Sequence, residues 1–426
     1  MFRRFLPLVL GAALCGTAAA QTPAPTPAPA ARPSRPAPLI LVSIDGFRAD
    51  YFDRGLTPNL AALAADGVRA REGMRPSFPS ITFPNHYTLV TGLFPDHHGI
   101  VANTMEDPRI VPDSRFTLGT YAAVSDGRWW NEARPLWVTA KHQGLRTATM
   151  FWPGSEAPIG GVRPDFWTHF DQTFPPELRV DILLNWLDQP QDKRPAFATL
   201  YFDQVDTAGH EHGPDSPELT EALRRTDAAI GRLVSGLKQR GLYELTNLVI
   251  VADHGMASTP PSQVVALDDL APKASVHVVS GGATAGLEAK GPQAADAERA
   301  LIGKHDHFTC WRKQDLPARW HFGTNARVPP IYCVAQIGWL LETREGLARR
   351  KSPMLGEHGY DNAEPLMRAL FIAHGPAFRK GVLAPVFDNV DVYPLLAEVL
   401  GVRPEHNDGA LAEVAGMLSA APAPQP

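Results

Sequence analysis

Four short motifs carry side chains suited to binding cations: SID at 43–45, DTAGH at 206–210, ADH at 252–254, and GEHGYDN around His358. Asp45 closes the apolar run LILVSI, and Gly46 behind it lets the chain turn sharply. Asp206 and His210 are four residues apart, so one helical turn, or a tight loop, aims both at one ion. Asp253 and His254 are adjacent and converge only where the backbone bends, which Gly255 permits. Taken singly, each has an ordinary explanation: an Asp after a strand commonly caps a helix or forms a turn, and a loop His is commonly a solvated imidazole. Taken together, three Asp and three His make the mixed oxygen and nitrogen set that zinc accepts without thiolates. Six ligands exceed the needs of one tetrahedral zinc with an open position, so two ions are expected. A pair of cations about 3.5–4 Å apart can clamp the attacking and leaving oxygens of a phosphoryl displacement.

A nucleophile for that displacement stands in ITFPNHYTLVTG, where Thr82 precedes a Phe-Pro-Asn-His run that reads as the opening of a helix. The simpler reading of Thr82 is an N-cap satisfying an orphan amide. The catalytic reading needs metal coordination, because a free hydroxyl is too weak an acid to attack at neutral pH. A helix N-terminus there would also favour a phosphate anion. Asn103, in GIVANTM, offers an amide to a non-bridging phosphoryl oxygen.

These residues must be positioned by the elements that carry them. Short apolar runs recur: LILVSID at 39–45, TATMFW at 147–152, FATLYFDQVD at 197–206, NLVIVADHG at 247–255 and ALFIAHG at 369–375. Between them, LTPNLAALAADG, PELRVDILLNWLDQ, SPELTEALRRTDAAIGRLVSGLKQRG and VDVYPLLAEVLG repeat apolar residues at helical spacing with caps at the right ends. Alternating strand and helix predict an α/β fold, a mostly parallel central sheet with helices on both faces. Ligands of such sheets collect beyond the carboxyl ends of the strands, where Asp45, Asp206 and Asp253-His254 are expected. The less regular stretch at about 260–350 reads as an inserted smaller subdomain, leaving a catalytic domain at 38–415 and a flexible tail at 416–426.

The chain has 426 residues, 44% hydrophobic and 20% charged, with a net charge of -5. That composition is ordinary for a soluble globular protein, and the charge gives no electrostatic case for nucleic acid. Residues 1–20 have a basic start, a short apolar core and Ala18-x-Ala20, the pattern of a cleaved export signal rather than a membrane span. Residues 21–37 are a Pro/Ala-rich linker. An exported, periplasmic or secreted protein is expected. Once Cys15 leaves with the signal, Cys310 and Cys333 remain, and in an oxidising compartment they most simply form one disulfide.

From about Leu39 to Gly401 the chain resembles bacterial nucleotide pyrophosphatase/phosphodiesterases of the alkaline phosphatase superfamily. SIDGFRADY, FPSITFPNHYTLVTGLFPDHHGIVANTM, FWPGSE, VDTAGHEHG, VADHGM, GEHGYDN and FDNVDVYPLL carry the resemblance, in order. It implies an alkaline-phosphatase-like fold and two zinc ions, one held by Asp206, His210 and His358, the other by Asp45, Asp253, His254 and the Thr82 oxygen. It implies Thr82 as nucleophile, a covalent phospho-threonine intermediate, Asn103 as phosphate ligand, and release of a nucleoside 5'-monophosphate. The family spacing selects Asp206 over Asp203. Many members have Lys before the Thr where this chain has Ile81, which blurs the substrate. Members stack a nucleobase between aromatic rings, and Phe83, Tyr201 and, more loosely, Phe170 are the counterparts. The rival substrates are choline phospholipids, cleaved at the same metals, and the rival class is a secreted binding protein that has lost catalysis. Oligomeric state has no signature in the sequence.

Overall fold

The computed structural model describes Met1 and residues 37–112, 114–350 and 352–419. The expected export signal, nearly all of the linker and most of the expected tail lie outside the described residues.

Five strands lie side by side and parallel, in the order Asn247–Val251, Leu39–Ile44, Phe197–Phe202, Thr147–Met150 and Phe166–Trp167. Phe371–His374 then runs antiparallel to Asn247–Val251, and the short Val68–Ala70 and Val382–Ala384 finish that edge. The three central strands are buried at every position, as expected of a sheet covered on both faces. The register sets Ser43 of the first strand opposite both Tyr201 and Val251, so the carboxyl ends of three strands open at one level.

All four expected helices form, as Pro58–Ala65, Pro176–Leu187, Pro217–Gln239 and Val392–Leu400. Pro217–Gln239 starts on Ser216, whose hydroxyl accepts from the Leu219 amide. Buried Asp227 on that helix caps a second one, accepting from the amides of Asn59 and Leu60 at the start of Pro58–Ala65. One expectation needs correction. Asp206 is not at a strand end: the strand stops at Phe202, and Asp206 lies on the first turn of the helix Gln204–His212.

Within the irregular stretch, Val276–Ser280, Thr284–Ala289, Ile331–Ala335, Phe308–Arg312 and Gly303–His305 form a separate five-stranded antiparallel sheet. It has its own apolar cluster, including Leu287, Leu301, Phe308 and Ile331. Cys310 and Cys333 face each other on adjacent strands of it and are bonded. Residues 416–419, which the sequence reading gave to the tail, instead pack down: Met417 is buried and Leu418 bridges to Phe378.

The connection between Phe308–Arg312 and Ile331–Ala335 is held to the larger part of the fold by charge. Arg327, 4% exposed, donates to Asp107 Oδ2 at 2.9 Å and to the carbonyls of Gly99 and Trp129 at 2.7 and 2.8 Å. Arg327→Met leaves Asp107 and those carbonyls without it, and the expected cost is about 3–5 kcal/mol in denaturant unfolding. Hydrogen bonds from Arg109, together with Arg327, hold the Asp107 carboxyl well below the usual carboxylate range despite its burial. A depressed folded pKa stabilises above the unfolded value of about 3.9, and that contribution begins to be lost below it and goes on falling through the depressed folded value. Melting temperatures measured from pH 7 down to pH 3 should fall less steeply for Asp107→Asn than for the natural chain.

Candidate active site

Asp45 follows the first strand directly, and Gly46 turns with φ +66°. A Cβ at Gly46 would sit 2.9 Å from Asp206 Cα, so the helix carrying Asp206 approaches only because that position is glycine. The Gly46 amide also donates to Asp253 Oδ1 at 3.2 Å, tying two strand ends together. A Cβ at Gly356 would stand 2.3 Å from the Gly209 carbonyl, and this close contact brings His210 and His358 together. Their Nε2 atoms are 3.1 Å apart.

The structure gathers all six expected ligands. His254 Nε2 lies 2.9 Å from Asp253 Oδ2 and 3.5 Å from Asp45 Oδ1. Asp206 places one oxygen 3.4 Å from His210 Nε2 and the other 3.6 Å from His358 Nε2. The His254 and His358 rings stack at 3.5 Å, joining the two groups. Asp203, the neighbour that the spacing rejected, is instead paired with buried Arg179 at 2.6 Å.

Whether these residues suit metal can be judged from their hydrogen bonds. His210, His254 and His358 each direct Nδ1 at a backbone carbonyl, of Gly356, Gly255 and Ser80 respectively, at 2.8 to 3.0 Å. A carbonyl only accepts, so Nδ1 carries a proton and Nε2 faces the cluster, the orientation of a metal ligand. Asp45 Oδ1, Asp206 Oδ1 and Asp253 Oδ2 are buried with no hydrogen-bond partner. Orphaned buried carboxylate oxygens are costly unless a cation answers them. Burial, with the charges of Asp253 and Asp206, pushes Asp45 well above the usual carboxylate range. Burial opposes charge on His210, but Asp206 and Glu357 outweigh it and lift this imidazole to about 10. Burial beside His254 lowers His358 to about 3. Such perturbed groups gathered in one buried cluster are characteristic of a functional site.

Thr82 is the first residue of the helix Thr82–Thr91, and its N-cap is Ile81, whose side chain makes no capping bond. The Thr82 hydroxyl therefore has no capping duty. Its Oγ1 lies 3.3 Å from His254 Nε2, at the edge of the Asp45, Asp253 and His254 group. Asn103 accepts from the Phe83 amide through Oδ1 at 2.9 Å, which points its amide group away from that bond and fixes it beside the same helix start. A cavity of about 650 Å³ opens here, with Asn103, His210 and His358 at one end and Leu267, Leu287 and Leu301 in its lining.

The aromatic residues divide. Phe83 is half-buried against Phe116 and Trp130, and Phe170 is 46% exposed, edge-on to Phe151 and Tyr201. Tyr201 is only 8% exposed, and its hydroxyl donates to Asp45 Oδ2 at 2.5 Å. It offers little face to a base; it braces Asp45 and backs Phe170. Sequence reasoning passed over Glu357, a buried carboxylate whose Oε1 accepts from the His358 amide at 3.0 Å and lies 3.9 Å from His210 Nδ1. Its place directly before His358 was the available signal.

Residues 39–361 match the family model described as type I phosphodiesterase/nucleotide pyrophosphatase. An uncharacterised pyrophosphatase/phosphodiesterase of Schizosaccharomyces pombe is 37% identical over 384 residues, 87% of this chain and 78% of the relative. The bis(5'-adenosyl)-triphosphatase enpp4 of Xenopus laevis is 36% identical over 89% of this chain and 81% of its own. Ectonucleotide pyrophosphatase/phosphodiesterase family member 3 of Rattus norvegicus is 37% identical over 90% of this chain, which spans only 44% of that longer protein. Among solved structures, murine ectonucleotide pyrophosphatase/phosphodiesterase 5 superposes with a TM-score of 0.84 at 33% identity, covering 90% of this chain and all of that one. The same protein is also known as an inactive threonine-to-alanine variant in complex with AMP. These relatives are eukaryotic, so they lend no support to the bacterial branch that the motifs suggested.

Proposed function

Because the chain belongs to the type I phosphodiesterase/nucleotide pyrophosphatase family of hydrolases, we propose that it cleaves nucleoside 5'-phosphodiester and pyrophosphate bonds and releases the nucleoside 5'-monophosphate. The reading rests above all on one observation. Three Nε2 atoms and three partnerless carboxylate oxygens meet beside the hydroxyl of Thr82.

Asp206, His210 and His358 would hold one zinc, and Asp45, Asp253 and His254, with the Thr82 oxygen, the other. Bound there, the metals supply charge neutralisation at the reacting phosphoryl group and acidify the hydroxyl. Thr82 Oγ1 attacks phosphorus, the bond to the leaving oxygen breaks, and that oxygen takes up a proton. Water then attacks the phospho-threonine, Thr82 regains its proton, and the monophosphate leaves. Asn103 donates its amide to a non-bridging oxygen in both steps. Phe83 and Phe170 receive the base, and the AMP complex of the murine relative supports a nucleotide in such a site.

Phe170→Ala should raise KM for nucleoside diesters about tenfold with little change in kcat, since base stacking on one aromatic ring contributes about 1–3 kcal/mol. An unchanged KM in steady-state assays would remove Phe170 from the base site. Initial rates on a dinucleoside polyphosphate and on a lysophospholipid separate the nucleotide reading from the choline-lipid one; faster lipid hydrolysis would overturn the former. Export to the periplasm or medium belongs to the same proposal. Among the described residues no helix is long and apolar enough to cross a membrane.

A further inference from the structure

His86 lies one helical turn after Thr82, fully buried, and no step above uses it. Its ring touches three site-bearing elements at once. Nδ1 is 2.9 Å from the Thr82 carbonyl and 3.3 Å from Asp253 Oδ2. Nε2 is 2.8 Å from the Ser43 hydroxyl, two residues before Asp45 on the first strand. Trp152 and Tyr201 meet the ring edge-on at 5.0 and 5.2 Å and close the remaining space.

Both neighbours of Nδ1 are acceptors, so Nδ1 carries a proton and Nε2 accepts from the Ser43 hydroxyl. Nδ1 thus hydrogen-bonds to the carbonyl of the nucleophile-bearing residue and stands 3.3 Å from the carboxylate oxygen that also lies 2.9 Å from His254 Nε2. A buried His with only a packing role needs no such pair of acceptors around one ring nitrogen. We infer that His86 is a positioning residue, whose Nδ1–H locks the first turn carrying Thr82 to Asp253 and so sets where Oγ1 stands relative to the ligand cluster. The inference rests on the reading of Thr82 as nucleophile.

The side-chain geometry supplies a test. An Asn amide nitrogen occupies the position of Nδ1, a Gln amide nitrogen that of Nε2, and Phe supplies neither donor. His86→Asn should keep kcat within roughly fivefold of the natural chain, while His86→Gln and His86→Phe should lose roughly 10- to 100-fold in kcat, with KM little changed. Zinc content and melting temperature are measured on all three, and Thr82→Ala is run beside them. Equal kcat for the Asn and Gln variants, or losses that follow melting temperature rather than donor position, would overturn the inference even if His86→Phe fails to fold. Turnover by Thr82→Ala would instead overturn the nucleophile itself, an outcome distinct from any pattern among the His86 variants.

Discussion

Thr82→Ala should lower kcat/KM on a nucleoside diester by about 10⁴-fold or more, because removing a nucleophile disables every step that depends on it. The same variant should bind metal almost as the natural chain does, since Asp45, Asp253 and His254 remain together with Asp206, His210 and His358. It should also fold normally: the Thr82 hydroxyl caps nothing. Those three readouts together distinguish a lost nucleophile from a broken site. Residual activity near the natural level, in protein whose zinc content is intact, would contradict the mechanism.

Prolonged incubation with a chelator should lower activity by roughly 10³-fold, the order expected when several kcal/mol of transition-state charge stabilisation is removed. Added zinc should restore it. The six ligands also fix the sign of the pH dependence: Nε2 lone pairs and carboxylates bind metal only when deprotonated, so activity falls toward acid pH and excess zinc moves that fall lower. A rate untouched by long chelation would rule out a metal centre built from these groups.

Much of the site could be read from the sequence because its chemistry sits in residue types with fixed spacing. Asp206 and His210 needed only a helix to share a face, and Asp253-His254 needed only a bend. Their place was less legible. A single residue, Asp203, separates the strand ending at Phe202 from the helix starting at Gln204, too little to move the hydrophobic pattern, so Asp206 read as a strand end. Tyr201 looked like a stacking ring because residue type says nothing of which way a ring turns; in the fold its hydroxyl is bound to Asp45. The same limit hid His86 and Glu357, whose meaning lies in partners far along the chain. In the sheet, the long apolar strands were visible, while Val68–Ala70 and Phe166–Trp167 are too short to carry a period. The direction of Phe371–His374, antiparallel to its neighbours, leaves no trace in an apolar run that reads alike either way.

The account stands on attack by the Thr82 oxygen, which makes hydrolysis two displacements at phosphorus rather than one. The stereochemical course of a chiral phosphorothioate diester cleaved in heavy-oxygen water measures this directly. Two in-line displacements, through a covalent phospho-threonine, give net retention of configuration. Inversion would mean that water attacks the substrate itself and that Thr82 is not the nucleophile.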